Sequence, residues 1–497
     1  MSQTFLGPAL PQAIQATLWE DNPWWRGERL FGLPALRRWA FQPVLSGVQQ
    51  GLTPATVLRG PRQVGKTTLL NQVIDTLLDA GVAPQWIFRV QFDELPTLRH
   101  VTEPILALAR WYAAAVLQRS FHQAAHEGEQ AYLFFDEVQN LPDWAPQLKH
   151  LVDMHPVRVL VTGSSALRIE AGRDSLAGRI TIIEMGPLLL REIAQLRGLE
   201  TLPALLSPNG LAPLKQQHFW HDVRAFGEQH TAIRQQVFAA FAERGSYPVA
   251  HLPGDHPWEN VADLLNESVV RRVIQHDLQC SPRGRRRDTT LLEEVFRLAC
   301  RYVGQAPSQD FYREEMRRSL HAEVSWQRVL ACLQLLDTTL LLRLIEPLEL
   351  RLKRRIGASK LYLCDHALRA AWLQEMVPLT PTALAHTPHL SDVAGRIVES
   401  IVGYFFRSLP GLDVAHFPAR STEPEVDFVL TVGVQRIPVE VRYRRHIDSR
   451  DTVGLRSFID KPHYNAPFGI LITLVDAKAA DDPCIVSLPL SSLLLMR

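Results

Sequence analysis

Gly60, Gly65, Lys66 and Thr67 stand at the spacing G-x-x-x-x-G-K-[ST] in the stretch LRGPRQVGKTTLLNQ. Two glycines let backbone N–H groups turn inward onto anionic oxygens, and the start of a helix adds partial positive charge. A lysine at that place neutralises the outer phosphates of a nucleoside triphosphate, and the hydroxyl beside it ligates Mg2+. Gly60, Pro61, Arg62, Gln63, Val64, Gly65, Lys66, Thr67 and Thr68 are therefore the candidate ATP contacts, with Lys66 also in a catalytic role and Thr67 also on the metal. In QAYLFFDEVQNLPDW, Asp136 and Glu137 close an apolar run from Tyr132 to Phe135. Asp136 suits the Mg2+ shell, and Glu137 suits a base that polarises the attacking water. In VRVLVTGSSAL, the small hydroxyls of Thr162, Ser164 and Ser165 follow an apolar run, and Ser164 is the candidate sensor of the terminal phosphate. In RDSLAGRI, Arg173 and Arg179 are candidate arginine fingers, acting in cis or across a subunit interface, with Arg179 preferred.

A second set of acids lies near the C-terminus. Glu399 falls in the amphipathic run AGRIVESIVGYFFRSL, and Asp427, Glu440 and Arg442 fall in EPEVDFVLTVGVQRIPVEVRYRR. A helical Glu, a strand Asp and then E-x-K on the next strand is similar to the PD-(D/E)xK nuclease fold, which implies a Mg2+-binding acid pair and a lysine at the water. Here arginine fills the lysine slot, and a guanidinium does not deprotonate in proteins. The site is thus read as degenerate, with binding easier to defend than cutting.

The elements that must position the first set read directly from the pattern. Ala55 to Arg59 is a short apolar strand, and Leu69, Leu70, Val73, Ile74 and Leu77 recur at helical spacing after the loop. A strand before and a helix after the glycine loop argue against a chance match in a flexible turn. The apolar runs at 132–135 and 157–161 fit strands of a buried parallel sheet, whose ligands sit at the carboxyl ends. Further on, Val261 to Leu278 has helical periodicity, and SPRGRRRD is a basic, Pro/Gly-marked linker. Leu291 to Tyr302, Gln309 to Ser319 and Trp326 to Leu336 read as three helices, the last two capped by Ser308 and Ser325. Two strands, LLLRLIEPLELRL and LYLCD, follow with KRRIGASK between them. That is the order of a winged helix-turn-helix. Its candidate nucleic-acid contacts are Gln327 and Arg328 on the third helix and Lys353, Arg354 and Arg355 in the wing. The third helix is largely apolar, so docking on protein competes with docking on DNA.

GPRQVGKTTLL, FFDEVQNLPDW, VTGSSA, SLAGR and EMGPLLLREI together resemble the AAA-type ATPases of bacteria and archaea that carry a C-terminal domain of unknown function, family number 4143. ERGSYPVA, KLYLCDHAL and GRIVESIVGYFF fit the later part of that pattern, with Ser246–Tyr247 where Gly-Phe is usual. Residues from 198 to about 235 look inserted relative to it. The resemblance implies an ATP-binding core and leaves the substrate open.

The expected fold is multidomain α/β. Segment 1–50 is helical, 51–198 is a P-loop ATPase core with a parallel sheet, and 199–285 is a helical lid with the insertion. Segment 286–375 is the winged-helix-like module, and 376–497 is a restriction-endonuclease-like α/β domain. The chain is 46% hydrophobic and 21% charged, ordinary globular composition for about three or four domains. Net charge is +1, so DNA would need a local basic patch rather than a global field. The 5 scattered cysteines include no CxxC pair, which argues against a zinc site and fits a reducing cytoplasm. The start lacks the pattern of a signal peptide, and no apolar run suits a membrane span. ATP and Mg2+ are the expected cofactors. Three outputs compete: DNA handling, an ATP-dependent switch or scaffold for protein partners, and an ATP-gated nuclease. A homo-oligomer is expected by analogy with trans-acting arginines.

Overall fold

The computed structural model describes residues 10–163, 175–207, 210–254, 256–277, 289–349, 357–420, 423–476 and 482–497. The chain divides into two compact units, Met1–Met185 and Gly186–Arg497.

The first unit is built on five parallel strands: β1 (Ala55–Arg59), β2 (Ile87–Gln91), β3 (Ala131–Asp136), β4 (Val157–Gly163) and β5 (Ile180–Glu184). Their order is β2-β3-β4-β1-β5. The inner strands are apolar on both faces and sealed on both faces. Val57, Leu58, Leu133, Phe134, Phe135, Leu160 and Val161 have no exposed surface. Helical crossovers cover the sheet, as parallel pairing requires; they include Lys66–Asp79, Pro104–Tyr112 and Trp144–Met154. β4 enters between β1 and β3, so the glycine-loop strand and the acid strand are not neighbours. The carboxyl ends of all three converge, with Leu58 beside Thr162 and Phe135 beside Val161.

The outer edge of β2 is closed by side chains of the N-terminal segment. The Asn22 amide donates to the Arg89 carbonyl at 2.9 Å and its oxygen accepts from the Arg89 N–H at 2.7 Å. The Trp24 and Trp25 indoles both donate to the Ile87 carbonyl, at 3.0 and 2.9 Å. These groups stand in for a neighbouring strand and satisfy the edge.

The second unit joins helices to a mixed sheet. The three helices are Thr289–Arg301, Gln309–Leu320 and Trp326–Thr338, and the Ser308 hydroxyl caps the second by accepting from the Phe311 N–H at 3.2 Å. Ser325 has extended backbone before the third but makes no side-chain cap. β6 (Leu342–Ile345) and β7 (Lys360–Leu363) then pair antiparallel. β6 is shorter than the apolar run suggests, because Pro347 leaves the hairpin and Leu348 donates to the His416 carbonyl at 2.7 Å. The expected helix over 261–278 is a regular helix only over Trp258–Leu265 and continues in wider π-type turns to Asp277.

The sheet comprises β8 (Asp413–Phe417), β9 (Val426–Val432), β10 (Gln435–Arg442), β11 (Gly469–Thr473) and β12 (Ile485–Pro489), in the order β12-β11-β10-β9-β8. β8, β9 and β10 run antiparallel, while β10, β11 and β12 are parallel. The helix Ser391–Arg407 precedes the sheet and packs on β7, β8 and β10. The inserted stretch packs within this unit. Its helix Gln217–Gln229 lies on β12, with Arg224 donating to the Asp476 carbonyl at 2.8 Å and Gln217 to the Pro483 carbonyl at 2.6 Å.

Two motifs far apart in sequence meet at Asp365. Its carboxylate accepts from the Ser246 N–H at 2.6 Å and caps the helix His366–Leu373 through the Ala367 N–H at 2.7 Å. Gly245 has φ +74°, and a Cβ there would lie 2.3 Å from Asp365 Oδ1. Only glycine fits that turn.

Candidate nucleotide-binding site

The loop leaves β1 at Arg59 and is pinned at once. The Met185 N–H donates to the Arg59 carbonyl at 2.8 Å, and a Cβ on Gly60 would lie 2.1 Å from the Met185 carbonyl oxygen. Gln63 at φ +61° and Gly65 at φ +93° carry the left-handed turns that bring the loop back into the helix Lys66–Asp79. A non-glycine residue in that region stores strain that the surroundings must hold. Lys66 is buried, and its ammonium donates to the carbonyls of Gly60 at 3.1 Å and Pro61 at 2.8 Å. It is folded over the mouth of its own loop.

The acid pair sits at the end of β3. Asp136 is fully buried and accepts from the Thr67 hydroxyl at 2.8 Å. Thr162, at the end of β4, donates to its other oxygen. Burial raises the Asp136 carboxyl above its ordinary range, against the pull of the Thr162 and Thr67 hydrogen bonds. Glu137 has φ +55°, and its N–H donates to the Thr162 hydroxyl at 3.2 Å. The Gln139 amide donates to the Glu137 carboxylate. Thr162 therefore holds both acids from β4.

The residues present fit a Mg-nucleotide. The cradle at Gly60 is one a Cβ would fill, the Lys66 ammonium lies on loop carbonyls, and Thr67 and Asp136 already share a hydrogen bond. Lys66 and the loop amides would hold the phosphates, and Thr67 with Asp136 would hold Mg2+. Ser164, Ser165 and Arg173 lie outside the described residues.

Arg179 sits at the end of the sheet away from the loop. It immediately precedes β5, and its carbonyl accepts from the Ala55 N–H at the start of β1. The glycine loop follows the opposite end of that strand. Its guanidinium pairs with Asp153 at 2.5 Å. A five-residue strand spans about 16 Å, so Arg179 is out of reach of the loop in its own chain. Sequence reading missed Gln139, which carried a faint signal two positions after Glu137.

In the second unit Glu399, Asp427, Glu440 and Arg442 do converge, and a residue absent from the sequence pattern joins them. Lys360, from β7, reaches Glu399 at 2.8 Å, Glu425 at 2.8 Å and Asp427 at 3.3 Å. Arg442 pairs with Glu440 and approaches Asp427 at 3.6 Å and Asp451 at 3.5 Å. Arg444 pairs with Asp451 as well. Burial pushes Glu399 up to about 7, helped by the Asp427 charge and opposed by Lys360. Burial raises Glu440 strongly too, and its Oε2 is buried without a hydrogen-bond partner. Among the described residues no group of three or more His, Cys, Asp and Glu side chains is arranged to hold a metal ion. Gln327 and Arg328 are exposed on their helix; Lys353, Arg354 and Arg355 lie outside the described residues.

Comparisons with known proteins agree with the first site. Residues 52–194 match the family model of an AAA domain, and residues 235–377 match a domain of unknown function, DUF8612, where family 4143 was expected. Two curated proteins, "Uncharacterized protein Mb2031c" of Mycobacterium bovis and "Uncharacterized protein Rv2008c" of Mycobacterium tuberculosis, are each 31% identical over 143 residues. That match covers 28% of this chain, and the chain spans only 26% of the length of those relatives. Among solved structures, PCH-2 of C. elegans is 15% identical over 32% of this chain and 43% of its own, with a TM-score of 0.19. Cdc6p from Pyrobaculum aerophilum is 11% identical over 75% of this chain and 96% of its own, with a TM-score of 0.24. Likeness at that level is too low to assign a fold. No helix among the described residues is long and apolar enough to cross a membrane. The parallel sheet and the glycine loop accord with the family match: residues 52–194 are similar to AAA domains and support a P-loop nucleotide-binding core.

Proposed function

We propose that this chain hydrolyses ATP to ADP and phosphate at the first site and uses the turnover to drive binding of DNA through its second unit. The observation that carries the catalytic half is the Thr67–Asp136 hydrogen bond, with Glu137 next along the chain and tied to Thr162. Lys66 and the amides of 60–65 bind and orient the phosphates. Thr67 and Asp136 would hold Mg2+, which when bound would supply positive charge against the charge that grows on the phosphates. Glu137 orients a water and accepts its proton as the water oxygen bonds to the terminal phosphorus and the bond to the bridging oxygen breaks. Asp136, buried against the Thr67 and Thr162 hydroxyls, would hold the metal beside the phosphates.

The DNA half is supported by the exposed Gln327, Arg328 and Gln334 on one helix, ahead of an antiparallel hairpin. A second reading, an ATP-dependent switch that binds a protein partner, is favoured by the near-neutral charge and by the engagement of Arg442 and Arg444 with acids. Cutting is disfavoured, because Lys360 and Arg442 already occupy the carboxylates that a metal would need.

The deciding experiment measures ATPase rate with duplex, single-stranded and branched DNA, for wild type and Glu137→Gln. Stimulation by DNA that weakens steeply with salt supports the first reading. Nucleotide-dependent assembly with indifference to DNA supports the second. Cleavage in Mg2+ or Mn2+, lost in Glu440→Ala, would overturn both in favour of a nuclease.

A further inference from the structure

Arg38 is buried, and its guanidinium donates to the carbonyl of Val64 at 2.6 Å. Val64 is the residue before Gly65 in the glycine loop and has no exposed surface. A trans peptide is planar, so its C=O and N–H point in opposite directions. Fixing the Val64 carbonyl toward Arg38 therefore fixes the Gly65 N–H the other way. Gly65 is the residue with φ +93° at the helix start, where inward-facing amides make an anion cradle. A free peptide there has two orientations about the flanking glycine, and only one presents the amide.

Arg38 stands at the end of a stretch with no helix or strand, between Arg26 and Phe41. The same stretch is held to the helix behind the loop. Gln72, buried on that helix, donates to the carbonyls of Pro34 and Leu36, both at 2.8 Å. Anchoring at Gln72 and contact at Val64 are thus separate: one secures the segment, the other reaches the loop.

We infer that Arg38 is a positioning residue of the nucleotide site, aiming the Gly65 amide at the phosphates through its bond to the Val64 carbonyl. This rests on the reading that the loop binds a nucleotide. Lysine at 38 can still donate to that carbonyl, though from a single point rather than a planar fork.

The test is the dissociation constant for a fluorescent ADP derivative, with melting temperature read on the same samples without nucleotide. Wild type is compared with Arg38→Ala, Arg38→Lys, Gln72→Ala and Lys66→Ala. Arg38→Ala is expected to weaken ADP about tenfold, Arg38→Lys to recover most of that, and Gln72→Ala to stay within about twofold while melting earlier. Should Arg38→Ala fail to fold, Arg38→Gln takes its place, with the same comparison against Arg38→Lys. Unchanged affinity in the folded position-38 variants, or equal weakening in Gln72→Ala, overturns the inference. Failure of wild type to bind ADP sinks the underlying reading instead, whereas binding lost in Lys66→Ala and kept in Arg38→Ala sinks only the role of Arg38.

Discussion

Two regions of this molecule gather acids and a buried lysine, and they use them in opposite ways. At the first, Lys66 donates to two neutral carbonyls and Asp136 is met by two hydroxyls. At the second, Lys360 and Arg442 are set directly against carboxylates. Ion pairs of the second kind take up charge that a ligand would otherwise meet. The same residue types form a self-neutralised weld in the second unit and, on the function proposed above, a loading site in the first.

The largest expected effect lies at the first region. Lys66→Ala and Glu137→Gln should each lower ATP turnover by at least about a hundredfold, with Glu137→Gln keeping its affinity for ATP. Turnover left intact in Glu137→Gln would remove the base from Glu137 and break the contrast at its first term. Next comes the weld. Lys360→Met leaves buried acids without their cation and should destabilise the second unit by about 3 kcal/mol or more, read by denaturant unfolding. A variant as stable as wild type would show that the acids were already neutral without it.

A smaller effect sharpens the same point. Glu399 titrates near 7 in the fold and near 4.5 when unfolded. The folded state then binds more protons between those values, so stability is fully present below about pH 4.5 and falls as pH rises through 7. Replacing Glu399 with glutamine removes that titration. The stability of Glu399→Gln relative to wild type should therefore climb between pH 5 and 8, by on the order of 1–2 kcal/mol. A pH-independent difference would place the carboxyl in its ordinary range. The smallest effect is expected from Arg179→Ala, whose ATPase rate should stay within about twofold of wild type, as for a surface pair. A larger loss that depends on protein concentration would put Arg179 in the site of a neighbouring copy.

What the chain discloses in one dimension follows from where its contacts lie. The glycine loop was legible because an anion cradle is made of consecutive amides, so its residues must be consecutive in sequence. Asp136 was legible because a buried strand that ends in two acids has few other uses. The three helices of 289–338 were legible from their spacing and, at Ser308, from the cap. Lys360 was not, because it meets Glu399 and Asp427 only after a hairpin docks beside a helix and a sheet. Arg38 was not, because it lies in a segment without periodicity. The position of Arg179 was not legible for a related reason: only the sheet register shows that the chain has by then returned to the end away from the loop, which leaves a role across a subunit interface as the one to test. The place of the helix Gln217–Gln229 was not legible because an insertion in sequence gives no hint of the surface it will cover.

The side chains of Asn22, Trp24 and Trp25 bear a consequence for anyone who trims this protein. They act as a surrogate strand, and cutting the chain back past Trp25 would strip the backbone of Ile87 and Arg89 of its partners. The exposed rim would then be free to recruit a strand from any passing molecule. A shortened version is accordingly expected to clump while its catalytic loop is still intact, so insolubility there would say nothing about catalysis.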